Sequence, residues 1–286
     1  MTGPRTVLIT GATDGHGRAL AHRLAAEGTT LILHGRDPDK LARTADDIQT
    51  THRVSRPRTM QADLAELAQV RRLASDVQAV ADRLDVLVSN AGIGAGHPDG
   101  HTRRTSVDGY ELRFAVNYLA GFLLTLDLLP LLRRSAPARI VNVASIGQHP
   151  LDLGDLMIER GYSGTRAYGQ SKLAQIMSGF ELAQRLPGAE VAVNSLHPAT
   201  YMPTKIVLAE IGHHIDSIDD GVSATHRLVT DAAFAGVTGR FFDRTSDTRP
   251  NIQAYDEQAR AELWRRSLEL VDRSGVHGRG VRGVMI

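Results

Sequence analysis

Cysteine does not occur in this 286-residue chain, which excludes disulfides, thiol nucleophiles and thiolate metal sites. Charge of one sign is missing too. The formal net charge is +1 and the arginines are spread along the chain, so there is no basic field of the kind that nucleic-acid binders use. Lysine is rare: of 33 basic residues only Lys40, Lys172 and Lys205 are lysines. Long apolar runs are also lacking. The first, TVLIT from Thr6, is too short for a signal-peptide core and no cleavage pattern follows it. The longest, YLAGFLLTLDLLPLLRR from Tyr118, is interrupted by Asp127 and Pro130 and reads as short of a membrane span. A buried or subunit-facing helix is expected there, in a soluble cytoplasmic protein. Repeats, low-complexity linkers and composition breaks are absent, which favours one domain over residues 1–274. The exception is the Gly/Arg-rich tail, 275–286, for which poor order is expected.

What is present is a regular alternation. Short β-branched runs fall at 6–10, 30–35, 56–63, 85–92, 139–145, 190–196 and 239–243, with helical periodicity between them. Strands that are apolar almost throughout are buried on both faces. Their β-helix-β order predicts an α/β fold with a doubly wound parallel sheet of about seven strands and helices on both sides.

Directly after the first strand comes TGATDGHGRAL, with Gly11, Gly15 and Gly17 leading into a helix. A turn at that place puts backbone N–H groups and the positive end of a helix dipole where a pyrophosphate can bind. Glycine permits φ > 0 and lets the backbone approach the ligand closely. The second strand ends in LHGRD, and where a site for NAD would have an acidic side chain for the ribose 2′-hydroxyl this chain has Gly35 and then Arg36. A guanidinium pairs with a 2′-phosphate that a carboxylate would repel, so Arg36 points to NADP. Asp37, followed by Pro38, reads as a helix N-cap.

Further along stands RAYGQSKLAQ. On a helix, Tyr168 and Lys172 are one turn apart on the same face and can meet one ligand. A lysine charge about 5 Å from a phenol favours phenolate by roughly 3 kcal/mol at an effective dielectric near 20, a lowering of about two pKa units. Tyr162 is a rival phenol, but its partner at that spacing is Arg166, which holds its proton too strongly for a relay. The GHH run at 212–214 lacks a carboxylate or cysteine pattern, and no metal site is expected.

Taken in order, these motifs resemble the short-chain dehydrogenase/reductase family, whose classical members are single Rossmann domains. The matching residues are Thr10 to Gly17, Asp63–Leu64, Asn90-Ala91-Gly92, the asparagine of FAVNYLAG, the serine of NVAS and Tyr168–Lys172. The likeness runs from the first strand to AELWRRSLELV, and that ending is similar to the retinol-dehydrogenase-like branch. The resemblance implies a catalytic set of Asn117, Ser145, Tyr168 and Lys172. It implies a cofactor site of Gly11, Thr13, Asp14, Gly15, His16, Gly17, Arg36, Asp63, Leu64, Asn90, Ala91, Gly92, Tyr168, Lys172, Pro198 and Thr200. Asp63 and Leu64 would flank the adenine, and Asn90-Ala91-Gly92 would line the ribose and nicotinamide side. In LHPATYMPTK the usual glycine is Ala199 and one extra residue precedes Thr204, which leaves open whether Thr200 or Thr204 meets the carboxamide. His16 stands where an aliphatic residue is usual. By the same resemblance Asn117 would position a water, and the chain would form homo-oligomers through the helices carrying 117–132 and 168–186. An insert at about 147–166 and a loop at about 200–225 would cover the substrate.

The activity implied is NADPH-dependent reduction of a ketone or aldehyde of moderate size, with Tyr168 as general acid. Alternatives are a non-catalytic NADP-binding sensor, an NAD-linked alcohol dehydrogenase, and a sugar-nucleotide epimerase, against which the glycine spacing speaks. No nucleic-acid or membrane partner is expected.

Overall fold

A computed structural model describes residues 4–96 and 100–273. The expected tail lies outside the described residues. Eight strands form one sheet: β1 (Thr6–Ile9), β2 (Thr30–Gly35), β3 (Arg58–Gln61), β4 (Val86–Ser89), β5 (Ala138–Val143), β6 (Val191–His197), β7 (Arg240–Asp243) and β8 (Ser246–Asp247). Their spatial order is β3-β2-β1-β4-β5-β6-β7-β8. The seven expected strands are all parallel, and the two-residue β8 adds an antiparallel edge that alternation in the sequence does not signal. β1, β4 and β6 are buried along their whole length; β1 and β4 are mostly apolar, whereas β6 also buries Asn194, Ser195 and His197.

The helices are α1 (Gly15–Ala26), α2 (Pro38–His52), α3 (Leu67–Val80), α4 (Ala120–Arg134), α5 (Gly164–Arg185), α6 (Lys205–Glu210), α7 (Ile218–Thr230) and α8 (Glu257–Arg273). α1, α2 and α7 share one core with one face of the sheet. α3, α4, α5 and α8 share the other core, on the opposite face. Asp37 caps α2 with its carboxylate on the Asp39 and Lys40 N–H groups and Pro38 in the first turn, as LHGRDP implies. The chain reverses its crossover direction between β1 and β4. The carboxyl ends of the strands there form the crevice in which open α/β sheets bind ligands.

Two expectations need correction. The apolar run is not short of a span: a π-helical turn, Phe114–Leu119, runs straight into α4, which continues through Asp127 and Pro130. The combined 21-residue helix is long and apolar enough to cross a membrane, and 78% of its most apolar window is buried inside the protein. Asp127 is accommodated beside Arg71 at 3.5 Å. Second, residues 200–225 are not one loop: they contain α6 and the first part of α7, and α7 packs on α1. α8 packs against both α4 and the π-helical turn before it, and against α5. Trp264 of α8 packs edge-on against Phe122 at 4.9 Å and stacks under Arg185, while Ser267 hydrogen-bonds with Tyr118 at 2.6 Å.

Candidate active site

The glycine turn is held in a form that only glycine can take. Gly11 has φ +67°, and a Cβ on it would lie 2.9 Å from the Ala91 Cα. A side chain at Gly17 would collide with the Gly11 carbonyl and the Asn90 amide. Asn90 donates from Nδ2 to the Thr10 and Gly11 carbonyls at 2.8 and 3.2 Å. The Thr10 hydroxyl in turn accepts from the Asn90 and Ala91 N–H groups. Asn90 thus clamps the turn, where the resemblance implies that it lines the ribose. Asp14 caps α1 by accepting from Gly15, and its carboxylate pairs with Lys205 of α6 at 2.6 Å; this partner holds it below the usual carboxylate range.

His16 has a structural role. The Asn90 NH₂ is spent on carbonyls, so its Oδ1 must accept from His16 Nδ1–H at 2.9 Å. Nε2 lies 3.0 Å from the Thr225 hydroxyl and 3.1 Å from the Gly221 carbonyl, to which that hydroxyl also donates. Burial pushes the imidazole below its ordinary value, opposed by its bonds to Asn90 and Gly221. The ring therefore bolts the glycine turn to α7 and does not face the cofactor crevice as expected. His34, at the end of β2, supports the turn from the other side: its Nδ1 accepts from Gly11 N–H at 3.3 Å and its Nε2–H donates to the Ala62 carbonyl. Burial pushes His34 down to about 4, so it stays neutral. His16→Leu, which restores the aliphatic type, should cost about 1–3 kcal/mol in urea unfolding because Asn90 Oδ1 loses its buried donor. An unshifted midpoint would mean that the bolt contributes nothing.

At the adenine end, Gly35 makes room for the Thr13 methyl, which a Cβ would approach to 2.7 Å. Arg36 is exposed, with its carbonyl held by Gln61 at 3.2 Å, and among the described residues its guanidinium has no ion pair. Asp63 turns one oxygen to the Ala65 N–H at 3.0 Å, and Leu64 is buried in the adjoining core.

The catalytic set converges at the carboxyl ends of β4, β5 and β6. Ser145 follows β5, its hydroxyl accepts from Gly147 N–H at 3.0 Å, and a Cβ on Gly147 would lie 3.4 Å from that hydroxyl and 3.9 Å from the Tyr168 ring. Tyr168 and Lys172 share a face of α5, whose N-cap is Ser163. The Lys172 ammonium lies 5.9 Å from the centre of the Tyr168 ring and donates to the Val143 carbonyl at 3.0 Å, using one of its three protons. Asn117 sits on the π-helical turn and grips Ile93: Oδ1 accepts from its N–H at 2.7 Å and Nδ2 donates to its carbonyl and to Ser171 Oγ. These bonds hold the loop after β4. Gly92 lies between Asn117 and Lys172; a Cβ there would be 3.2 Å from Asn117 Oδ1 and 3.5 Å from Nζ.

The protonation balance differs from the expected one. Burial raises Tyr168 above its ordinary value, opposed by Ser145 and reinforced by Glu210 and Tyr201. Lys172, itself desolvated, is pushed down to about 8. Desolvation of both partners outweighs the attraction that pairwise reasoning from sequence counts alone. The rival Tyr162 is locked between Arg113, which donates to it at 2.6 Å, and Glu111, and is pushed up to about 12.

After β6, Pro198 and Ala199 are buried. Thr200 is committed elsewhere: its N–H donates to Asp216 at 2.6 Å, and its hydroxyl meets His197 and Arg244, each at 3.1 Å. Thr204 instead lies against the glycine turn, where a Cβ on Gly15 would be 3.0 Å from its methyl, and it caps α6. Sequence reasoning also missed Arg113, Glu210 and the strained Tyr201, which has φ 46°. The insert follows Ser145 as an irregular segment tied to the outer rim, with Leu151 bonded in both directions to Gln253, and α5 begins at Gly164 before the expected end of the insert.

A sequence model of the short chain dehydrogenase family matches residues 5–210. The chain is 34% identical to retinol dehydrogenase 13 of Mus musculus over 303 residues, covering 98% of this chain and 87% of that protein. It is 30% identical to retinol dehydrogenase 12 of Homo sapiens, covering 93% of this chain and 86% of that one. Among solved structures, Pseudomonas aeruginosa RhlG in an NADP active-site complex superposes with TM-score 0.68 at 27% identity, over 85% of this chain and 95% of that one. A short chain dehydrogenase from Escherichia coli CFT073 complexed with NADPH gives TM-score 0.69 at 26% identity, over 85% of this chain and 97% of that one.

Proposed function

The chain belongs to the short-chain dehydrogenase family, in its retinol-dehydrogenase-like branch, and is an oxidoreductase acting on CH–OH or C=O groups with a nicotinamide cofactor; from this premise we propose an NADPH-dependent carbonyl reductase. The observation that carries the reading is the Ser145 hydroxyl and the Tyr168 ring meeting at Gly147, with the Lys172 ammonium 5.9 Å from the centre of that ring, in the same crevice as the glycine turn. The site fits a dinucleotide: the turn excludes side chains where a pyrophosphate would approach α1, and Lys172 retains protons for ribose hydroxyls.

When bound, NADPH supplies the hydride. Tyr168 gives its phenolic proton to the carbonyl oxygen as negative charge grows there, and Ser145 donates a hydrogen bond to the same oxygen. Lys172 then supports the phenolate left behind. A phenol raised by burial is held in its acid form at neutral pH, which suits reduction better than oxidation. Asn117 acts through the backbone by fixing Ile93.

Preference for NADPH rests on Arg36, exposed at the end of β2 while neighbouring Asp37 is spent on capping α2. The NADP- and NADPH-bound relatives support it. The test is nicotinamide absorbance during incubation with a panel of ketones and aldehydes, using NADPH and NADH in parallel. Turnover faster with NADPH is expected, and Arg36→Ala should narrow the preference about 10- to 100-fold, the value of one charge-assisted hydrogen bond. NADPH that binds tightly and is never oxidised across the panel would favour the sensor reading.

A further inference from the structure

The loop after β4 is gripped from both sides. Buried Arg113 donates from Nε to the Gly94 carbonyl at 2.8 Å and from Nη2 to the Ala95 carbonyl at 2.7 Å. The Ala95 and Gly96 N–H groups are left to donate to one carboxylate, that of Glu210 on α6, at 3.0 and 2.5 Å. Gly96 has φ +86°, a conformation that favours glycine, and a side chain at Gly94 would collide with the carboxylate. Consecutive N–H groups aimed at one point form an anion-binding concavity. At its other end, α6 is tied to the glycine turn by Lys205–Asp14. The short helix therefore spans the crevice from the cofactor end to the reaction centre. The loop that carries the seat starts at the reaction centre: a Cβ on Gly92 would lie 3.5 Å from Lys172 Nζ, and Ile93 N–H donates to Asn117, two residues before Ala95. The negative charge of Glu210 also raises the Tyr168 phenol.

We propose that Glu210 is a charge filter: with α6 closed, its carboxylate fills the anion seat of Ala95 and Gly96 next to the reaction centre. Uncharged carbonyl compounds are then accepted, and carboxylate-bearing ones enter only by displacing it. The inference rests on the reductase reading and narrows its substrate class to neutral, predominantly apolar carbonyls. The side chains that α6 and its flanks present agree with this: Tyr201, Ile206, Leu208 and Ile211 are all exposed.

The test compares methyl 4-formylbenzoate with 4-formylbenzoate, which differ in charge at nearly constant shape. Calorimetric binding to the NADP⁺-loaded protein and turnover with NADPH are measured for wild type, Glu210→Gln and Glu210→Ala. Gln keeps an acceptor for the seat and removes only the charge. Wild type should favour the ester by at least about tenfold, and the Gln variant should lose most of that ratio through tighter binding of the acid. In the Ala variant the acid should bind more tightly still, with acetate competing against it. Ester-to-acid affinity ratios equal to wild type in both variants would overturn the filter. Absent turnover of every carbonyl by wild type, with the binding ratios shifting as described, would overturn the reductase reading and leave the filter standing.

Discussion

Tyr168→Phe is expected to lower kcat for carbonyl reduction by about 10²- to 10⁴-fold while leaving the NADPH dissociation constant within about threefold of wild type. The phenol is the group placed to give up a proton: it stands beside Ser145 and is raised by burial. Phenylalanine keeps the ring and its packing on α5 but removes the proton. The binding elements lie elsewhere, in the glycine turn, at Arg36 and in the Lys172 ammonium, so affinity measured by NADPH fluorescence should persist. Wild-type turnover in this variant would remove Tyr168 from the mechanism. A joint collapse of turnover and affinity would assign it to binding.

Lys172→Met should be nearly as damaging, at about 10²-fold or more in kcat/KM, and it carries a pH signature. Burial pushes Lys172 down to about 8, so its charge is lost as pH rises through that value. Reduction by the wild type should fall over the same interval, because the phenolate formed after proton transfer loses its counter-charge. The alkaline limb near 8 should vanish from the residual profile of the variant. Stability runs the other way. The folded pKa lies below the ordinary lysine value of 10.5, so the folded state disfavours the ammonium. Wild-type stability relative to Lys172→Met should therefore rise between about pH 8 and pH 10.5. It should be lowest below pH 8. A pH-independent difference in urea unfolding would contradict a desolvated ammonium.

Legibility in the sequence followed the range of the interactions. Strand positions and the parallel order were readable because buried parallel strands are predominantly apolar, and β2 falls where its pattern places it, at Thr30–Gly35. Gly11 and Gly17 were readable because their constraint is local. Tyr168 and Lys172 were readable because one helical turn sets their spacing. What escaped depends on partners distant in sequence. His16 is explained only by Asn90 and by Thr225, more than 200 residues away. Glu210 acquires its meaning from Ala95 and Gly96, and Thr200 loses its expected place to Asp216 and Arg244. The rise in the Tyr168 pKa was missed for another reason: charge proximity can be read from spacing, whereas desolvation depends on the whole surrounding fold.

The central claim is that one phenol, one hydroxyl and one ammonium meet the reacting end of a bound dinucleotide. A crystal structure of the protein with NADP⁺ and the alcohol product of its best substrate tests this most directly. The account predicts the alcohol oxygen within hydrogen-bonding distance of both Tyr168 Oη and Ser145 Oγ, with Lys172 Nζ on the nicotinamide ribose. A dinucleotide seated away from the glycine turn, or an alcohol oxygen that reaches neither hydroxyl, would contradict it.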